Sequence, residues 1–219
     1  MRCAIIGIHD DNYKEMADLT WHRNRKLYAE HRGYDAIAKI DKFGSLDIGW
    51  WKIQILLELM NKNQHDVFFI SGADTMITNF TIPLTNFLYD GYSVTLSTDF
   101  NGIQADSLVV RNDANGRAWC QMIMDKMPDY IRHPFREQGT MMETTQLDPW
   151  NKIVKVVPQR FINSYFYDLY CPGKGAKNHN DAMGFNGNWQ KGDWLLHCPD
   201  HKMPVRMALF NHILPLVIS

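Results

Sequence analysis

"DVFFISGADTMITN" (66–79) runs through four apolar residues, 67–70, into Ser71, Gly72 and Ala73 and reaches a single carboxylate, Asp74. An apolar run rich in aromatic and β-branched residues, closed by small turn formers, reads as a buried strand with Asp74 at its mouth. The chain on either side has a matching pattern. "CAIIGI" (3–8) is a second such run, opening into the polar cluster His9, Asp10, Asp11, Asn12. From Tyr13 to His31 the pattern is helical, with Met16, Leu19, Leu27 and Tyr28 among charged residues, and Gly33 is placed to end it. "YDAIAKID" (34–41) predicts another strand. "GWWKIQILLELMNKN" (49–63) predicts an amphipathic helix, with Trp51, Ile55, Leu59 and Ile53, Leu57, Met60 at three- and four-residue steps.

Strand, helix, strand, helix, strand in that order predicts an α/β fold with a parallel sheet covered on both faces, because each parallel crossover needs roughly a dozen residues. Ligands of such sheets sit beyond the carboxyl ends of the strands, where His9 to Asn12, Asp41 and Asp74 would converge. The second half is less regular. "YSVTLSTD" (92–99) and "ADSLVVRN" (105–112) read as strands, with Asn101-Gly102 between them as a hairpin turn or a loop crossing the site. Residues 116–127 and 136–147 have helical content, 152–157 is a short strand, and the glycine-rich stretch 171–193 reads as a loop near a ligand.

With 219 residues and no linker-like stretch, one domain spanning 1–219 is expected. Lys plus Arg number 23 against 24 Asp plus Glu, so charge gives no reason to expect nucleic acid or an anionic membrane as partner. The N-terminal apolar run is too short for a signal sequence or a transmembrane segment, and the chain reads as cytoplasmic. Cys3, Cys120, Cys171 and Cys198 are scattered and read as reduced thiols.

Among chemical motifs, GxxxxGK[ST] and GxGxxG are both missing, which disfavours the common phosphate cradles, and "GKG" (173–175) is too short to be specific. "GDWLLHCPDHK" (192–202) puts His197 at the end of another apolar run, with Lys202 five residues on. One Asp, one His and a substrate diphosphate would make a site for a hard divalent ion. On spacing alone the plainer reading is the stronger: a lone Asp after a strand is usually a turn or helix-cap residue, and most single histidines are structural or surface groups.

The ordered set "NRKLYAEHRGYD" (24–35), "WWKIQILLELM" (50–60), "DVFFISGADTMITN" (66–79), "NGIQADSLVVRN" (101–112), "EQGTMMETTQ" (137–146), "VPQRFINSY" (157–165) and "GDWLLHCPDHK" (192–202) resembles the segments of glycosyltransferase family 34. The resemblance implies a GT-A fold, with a mixed, mostly parallel sheet, that holds a nucleotide sugar through Mn²⁺ (or Mg²⁺) and a DxD motif. That motif reads Gly72-Ala73-Asp74 here, so its first acid is missing. By the same resemblance Asp74 and His197 are the metal ligands. Lys202 neutralises the leaving diphosphate, and Glu137 and Gln138 lie on the sugar side as catalytic candidates. Gly7, Ile8, His9, Asp41, Lys52 and Ala73 are expected near the nucleotide, and Asp99, Asn101 and Asp106 near donor sugar or acceptor. Asp106 stands in "QAD", where relatives read "NAG" or "NTG". Trp189 is the first choice for an acceptor platform, while Asn163 and Tyr165 serve equally well as packing residues.

The expected function is transfer of a sugar, UDP-linked hexose foremost, to a glycan hydroxyl with retention of configuration. A catalytically silent nucleotide-sugar or glycan-binding module of the same fold, or a sugar nucleotidyltransferase, are the alternatives.

Overall fold

A computed structural model describes residues 1–40, 46–167 and 179–219. In chain order its strands are β1 (Cys3–His9), β2 (Asp35–Ile40), β3 (Val67–Ser71), β4 (Thr75–Ile77), β5 (Val94–Asp99), β6 (Gly102–Arg111), β7 (Val154–Val157), β8 (Ser164–Tyr165) and β9 (Leu195–His197). The main sheet has the order β2-β1-β3-β6-β5-β7. β1 is parallel to both β2 and β3, and β7 is parallel to β5, but β6 runs antiparallel to β3 and to β5. One strand therefore runs against the other five. The sheet is mixed and mostly parallel, as expected, and β6 is the strand that reverses, because a two-residue link to β5 makes a hairpin there.

Both faces of the central strands are buried, as their unbroken apolar runs demand. Ala4, Ile6, Ile8, Phe68 and Ile70 face one core, against α3 (Ile48–Asn61) and α4 (Ala114–Asp125). Cys3, Ile5, Val67 and Phe69 face the other, with Trp21, Tyr28, Ala29 and Trp194. Asp47 caps α3 by accepting from the Gly49 N–H at 3.0 Å, and the ridge Trp50, Ile53, Leu56, Met60 is fully buried.

The helical stretch after β1 is interrupted. α1 (Lys14–Ala17) passes into a π-helical segment, Asp18–Arg25, before α2 (Lys26–Arg32), and Gly33 at φ +66° closes α2 as expected. Apolar periodicity does not reveal such a widening, since it changes the helix by a single residue per turn. α5 (Met127–Tyr130), α6 (Arg136–Thr144) and α7 (Met203–Ile213) complete the described α-helices.

A second, three-stranded sheet of order β4-β9-β8 continues from the turn after β3. It packs Met76 and Leu196 against Leu209, Phe210 and Ile213 of α7. The described cysteines, Cys3, Cys120 and Cys198, are buried thiols, and Cys171 lies outside the described residues. No described helix is long and apolar enough to cross a membrane.

Candidate active site

Beyond the carboxyl ends of β1, β3 and β5 lies a cavity of about 460 Å³. Its floor is the turn Gly72-Ala73-Asp74, and that turn is held from behind by the π-helical segment. Thr20 Oγ1 donates to the Ala73 carbonyl at 2.6 Å, Asn24 exchanges two 2.8 Å hydrogen bonds with the backbone of Ile77, and Arg25 Nη1 donates to Ser71 Oγ at 2.6 Å and to its carbonyl at 3.1 Å. Thr20, Asn24 and Arg25 are all buried. Burial lowers the Arg25 pKa to about 10, with the charges of Asp106 and Asp74 opposing it, so the guanidinium stays charged at neutral pH. The signal available in the sequence was a Thr and an Asn four residues apart on a helix face, followed by Arg.

β9 brings the imidazole. Its antiparallel register sets His197 opposite Thr75, and the Cys198 N–H donates to the Asp74 carbonyl at 2.9 Å. His197 Nε2 then lies 3.5 Å from Asp74 Oδ1 and 3.9 Å from Asp106 Oδ2. Its Nδ1 lies 2.8 Å from Asn163 Oδ1, an acceptor, so in the neutral ring Nδ1 carries the proton and Nε2 presents its lone pair to the carboxylates. Burial works to lower the His197 pKa, but the charges of Asp74 and Asp106 outweigh it and the net shift is upward. Asp74 moves down: burial opposes its charge, and His197 and Arg206 overcome that.

Asp74, Asp106 and His197 offer ligand atoms that all lie within 4.8 Å of one another. A cation bonded at roughly 2.1–2.2 Å spans ligand atoms up to about 4.4 Å apart, so small side-chain rotations close the set. Two carboxylates and one neutral imidazole fit a divalent ion, Mn²⁺ better than Mg²⁺. The remaining carboxylate oxygens meet protein cations: Arg206 Nη1 is 3.3 Å from Asp74 Oδ2, and Lys52 Nζ is 3.8 Å from Asp106 Oδ1.

At the end of β5, Asp99 accepts from Tyr165 Oη at 2.9 Å and from the Asn101 N–H at 2.7 Å, while burial raises its pKa. The Tyr165 ring stands edge-on to His197, 5.3 Å between centroids. Glu137, in the first turn of α6, is buried against Gly49, where a Cβ would meet its carboxyl at 2.0–2.3 Å. Burial raises the Glu137 pKa, with Lys52 pulling the other way.

Ile8, His9, Lys52, Ala73, Asp74, Asp99, Asn101, Asp106, Glu137, Gln138 and His197 thus line one cavity. Lys52 does so with Nζ donating to the Ala105 carbonyl at 2.5 Å, tied to β6. Other expected residues fall elsewhere. Gly7 is not in the lining: the Trp21 ring covers it, and a Cβ there would meet that ring at 2.3 Å. Trp189 is turned away, its Nε1 donating to Thr78 Oγ1 at 3.1 Å and its ring against Phe166. Lys202 is exposed at the N-cap of α7, outside the lining, whereas Arg206, one turn on and buried, is in it. Asp41 lies outside the described residues. Asp106, expected beside donor sugar or acceptor, stands in the Asp-Asp-His group. Arg206 was missed because it comes nine residues after His197, and only the turn into α7 brings it back.

No protein-family model and no curated protein matches the sequence. Solved structures do match in fold. A glycosyltransferase involved in the glycosylation of the major capsid of PBCV-1 superposes with a TM-score of 0.72 at 11% identity, covering 97% of this chain and 98% of that one. The apo-form glycosyltransferase GlyE of Streptococcus pneumoniae TIGR4 superposes with a TM-score of 0.59 at 14% identity, covering 98% of this chain. A second structure of GlyE gives 0.57 at 13%. This chain spans 62% of the GlyE chains. The chain has the GT-A type of fold that these transferases have.

Proposed function

We propose that the chain is a metal-dependent glycosyltransferase, similar to family 34, that moves a hexose from a UDP-linked donor to a hydroxyl of a glycan acceptor. The observation that carries this reading is the meeting of Asp74 and His197, from distant parts of the chain, at 3.5 Å on the floor of the cavity beyond the parallel strands. A divalent cation bound there supplies positive charge that stabilises the departing diphosphate.

Asp74 and His197 hold that cation, and Asn163 fixes the imidazole in the tautomer that can ligate. Ile8 and His9, which line the cavity at the end of β1, contact the base of the nucleotide in this reading. Arg206, in the lining, neutralises the charge that develops as the sugar–phosphate bond breaks, and Lys202, exposed at the start of the same helix, adds a minor share. Gln138 turns its amide toward the anomeric centre, and Asp99, Asn101 and Glu137 bond sugar hydroxyls. Retention follows a front-face course in which the leaving phosphate takes the acceptor proton. A glycosyl adduct trapped on Glu137 would exclude that course.

Two assays decide between this and its rivals. Incubation with UDP- and GDP-sugars, with and without Mn²⁺, releases nucleoside diphosphate only if the chain is a transferase; a silent binding module is stabilised against heat by the donor but releases none. A sugar nucleotidyltransferase instead releases pyrophosphate from a nucleoside triphosphate and a sugar phosphate.

A further inference from the structure

The acid missing at position 72 has a spatial substitute. In the antiparallel pairing of β3 with β6, Phe69 faces Val109 and Ile70 faces Leu108. Continued by two residues, that register sets Gly72 opposite Asp106, and cross-strand neighbours have Cβ atoms about 4.5–5.5 Å apart. The contacts agree: the Gly72 N–H lies 3.2 Å from each oxygen of the Asp106 carboxylate. A Cβ built on Gly72 would lie 2.7 Å from Asp106 Oδ1 and 2.9 Å from Asp74 Oδ1. The space that a side chain at position 72 would take is the space Asp106 fills.

The other side of β6 is adapted to deliver it. Thr95 faces Val109, so an unbroken register would set Ser97 opposite Ser107, yet Ser97 faces Gln104. The β6 residues between bulge away from β5, and such bulges re-aim side chains beside sites. Gln104 Oε1 accepts from the Asp106 N–H at 2.7 Å, and Lys52 Nζ donates to the Ala105 carbonyl. Backbone groups released from the hairpin ladder are thereby satisfied, and Asp106 Oδ2 is left 3.9 Å from His197 Nε2.

We infer that the metal site has been transposed: the first carboxylate of the acidic motif, absent from position 72, is supplied across the strand pair by Asp106, and positions 72 and 106 hold one acid between them. This rests on the metal-dependent reading above and assigns Asp106 to the cation instead of to the sugar. It also gives Gly72 a reason. With Asp106 in place, any side chain at 72 would collide with the carboxylate, and an acid would add like-charge repulsion.

The test is Mn²⁺ titration of the full chain, followed by Mn²⁺ electron paramagnetic resonance, alone and with UDP, for the parent, Asp106→Asn, Asp106→Gly, Gly72→Asp and the double variant Gly72→Asp/Asp106→Gly, each with its melting curve. Loss of the ligand in Asp106→Asn and Asp106→Gly weakens Mn²⁺ binding about tenfold or more. Gly72→Asp alone melts lower than the parent. The double variant recovers affinity to within about threefold of the parent, because its carboxylate returns to the other strand. The inference is overturned by an Asp106→Asn protein that binds Mn²⁺ as the parent does, or by a folded double variant no tighter than Asp106→Gly. If the double variant does not fold, the near-isosteric Asp106→Asn decides. A parent that shows no saturable Mn²⁺ binding in either condition removes the metal-dependent reading itself, and this inference with it.

Discussion

Asn163 and His197, both buried, are joined by a 2.8 Å contact between Asn163 Oδ1 and His197 Nδ1. The contact decides which ring nitrogen is free, because an amide oxygen can only accept. Replacing Asn163 with Ala leaves the imidazole Nδ1 without that acceptor, and Mn²⁺ binding is expected to weaken by about 10–100-fold. A calorimetric titration checks this. Unchanged affinity would mean that packing against Tyr165 and the carboxylates of Asp74 and Asp106 orient the ring without Asn163.

Arg206 and Lys202 separate two accounts of the leaving-group side. Arg206 lines the cavity and Lys202 does not. Arg206→Met is therefore expected to weaken UDP binding in Mn²⁺ by about tenfold, the scale of one charge-assisted hydrogen bond, and Lys202→Met by less than about threefold. The reverse order would show that the chain closes over bound nucleotide and brings Lys202 inward.

Glu137 gives a pH-dependent signature. Its pKa is raised, first by burial, so between its ordinary value of 4.5 and its higher folded value the native state holds a proton that the unfolded chain has released. Stability contributed by that proton is complete below the ordinary value and is lost as pH rises through the folded one. Glu137→Gln removes the loss. The variant should melt higher than the parent at neutral pH and show a flatter stability profile in mildly acid solution, while turnover falls about a hundredfold. A melting temperature with unaltered pH dependence would place the titration on another group.

Gly7 tests a packing role against a ligand role. Because a Cβ there would run into the Trp21 ring, Gly7→Ala overpacks the core and should cost about 1–3 kcal/mol. That corresponds to a melting shift of roughly 2–12 °C for a chain of this size. UDP affinity of the folded fraction should stay the same. A selective loss of nucleotide binding without destabilisation would return Gly7 to the site.

Arg25 should be more costly. Arg25→Met removes three donated hydrogen bonds and the buried positive charge that acts on Asp106 and Asp74, with an expected loss of about 3–5 kcal/mol. Because Arg25 holds the residue before Gly72, Mn²⁺ affinity should fall together with the melting temperature.

What could be read along the chain was whatever short-range periodicity encodes. The β1, α2, β2, α3, β3 succession follows from apolar runs of strand length, helical spacing in 49–63 and Gly33 at a helix end, because burial on two faces demands such patterns. The strand end carrying Asp74, and its place at a cavity beyond the sheet, were legible for the same reason. The π-helical segment was not, since Thr20, Asn24 and Arg25 act through a backbone turn that the periodicity does not mark.

The sequence by itself determined the α/β class, the strand that ends at Asp74 and the absence of an acid at Gly72. Only the tertiary structure decided that β6 lies antiparallel between β3 and β5, that Asp106 stands across from Gly72, and that Arg206 lines the cavity while Lys202 stands outside it. Each of these depends on register between segments far apart in the chain. Register is fixed by the joint burial of whole faces and by the bulge in β6, which no local window contains.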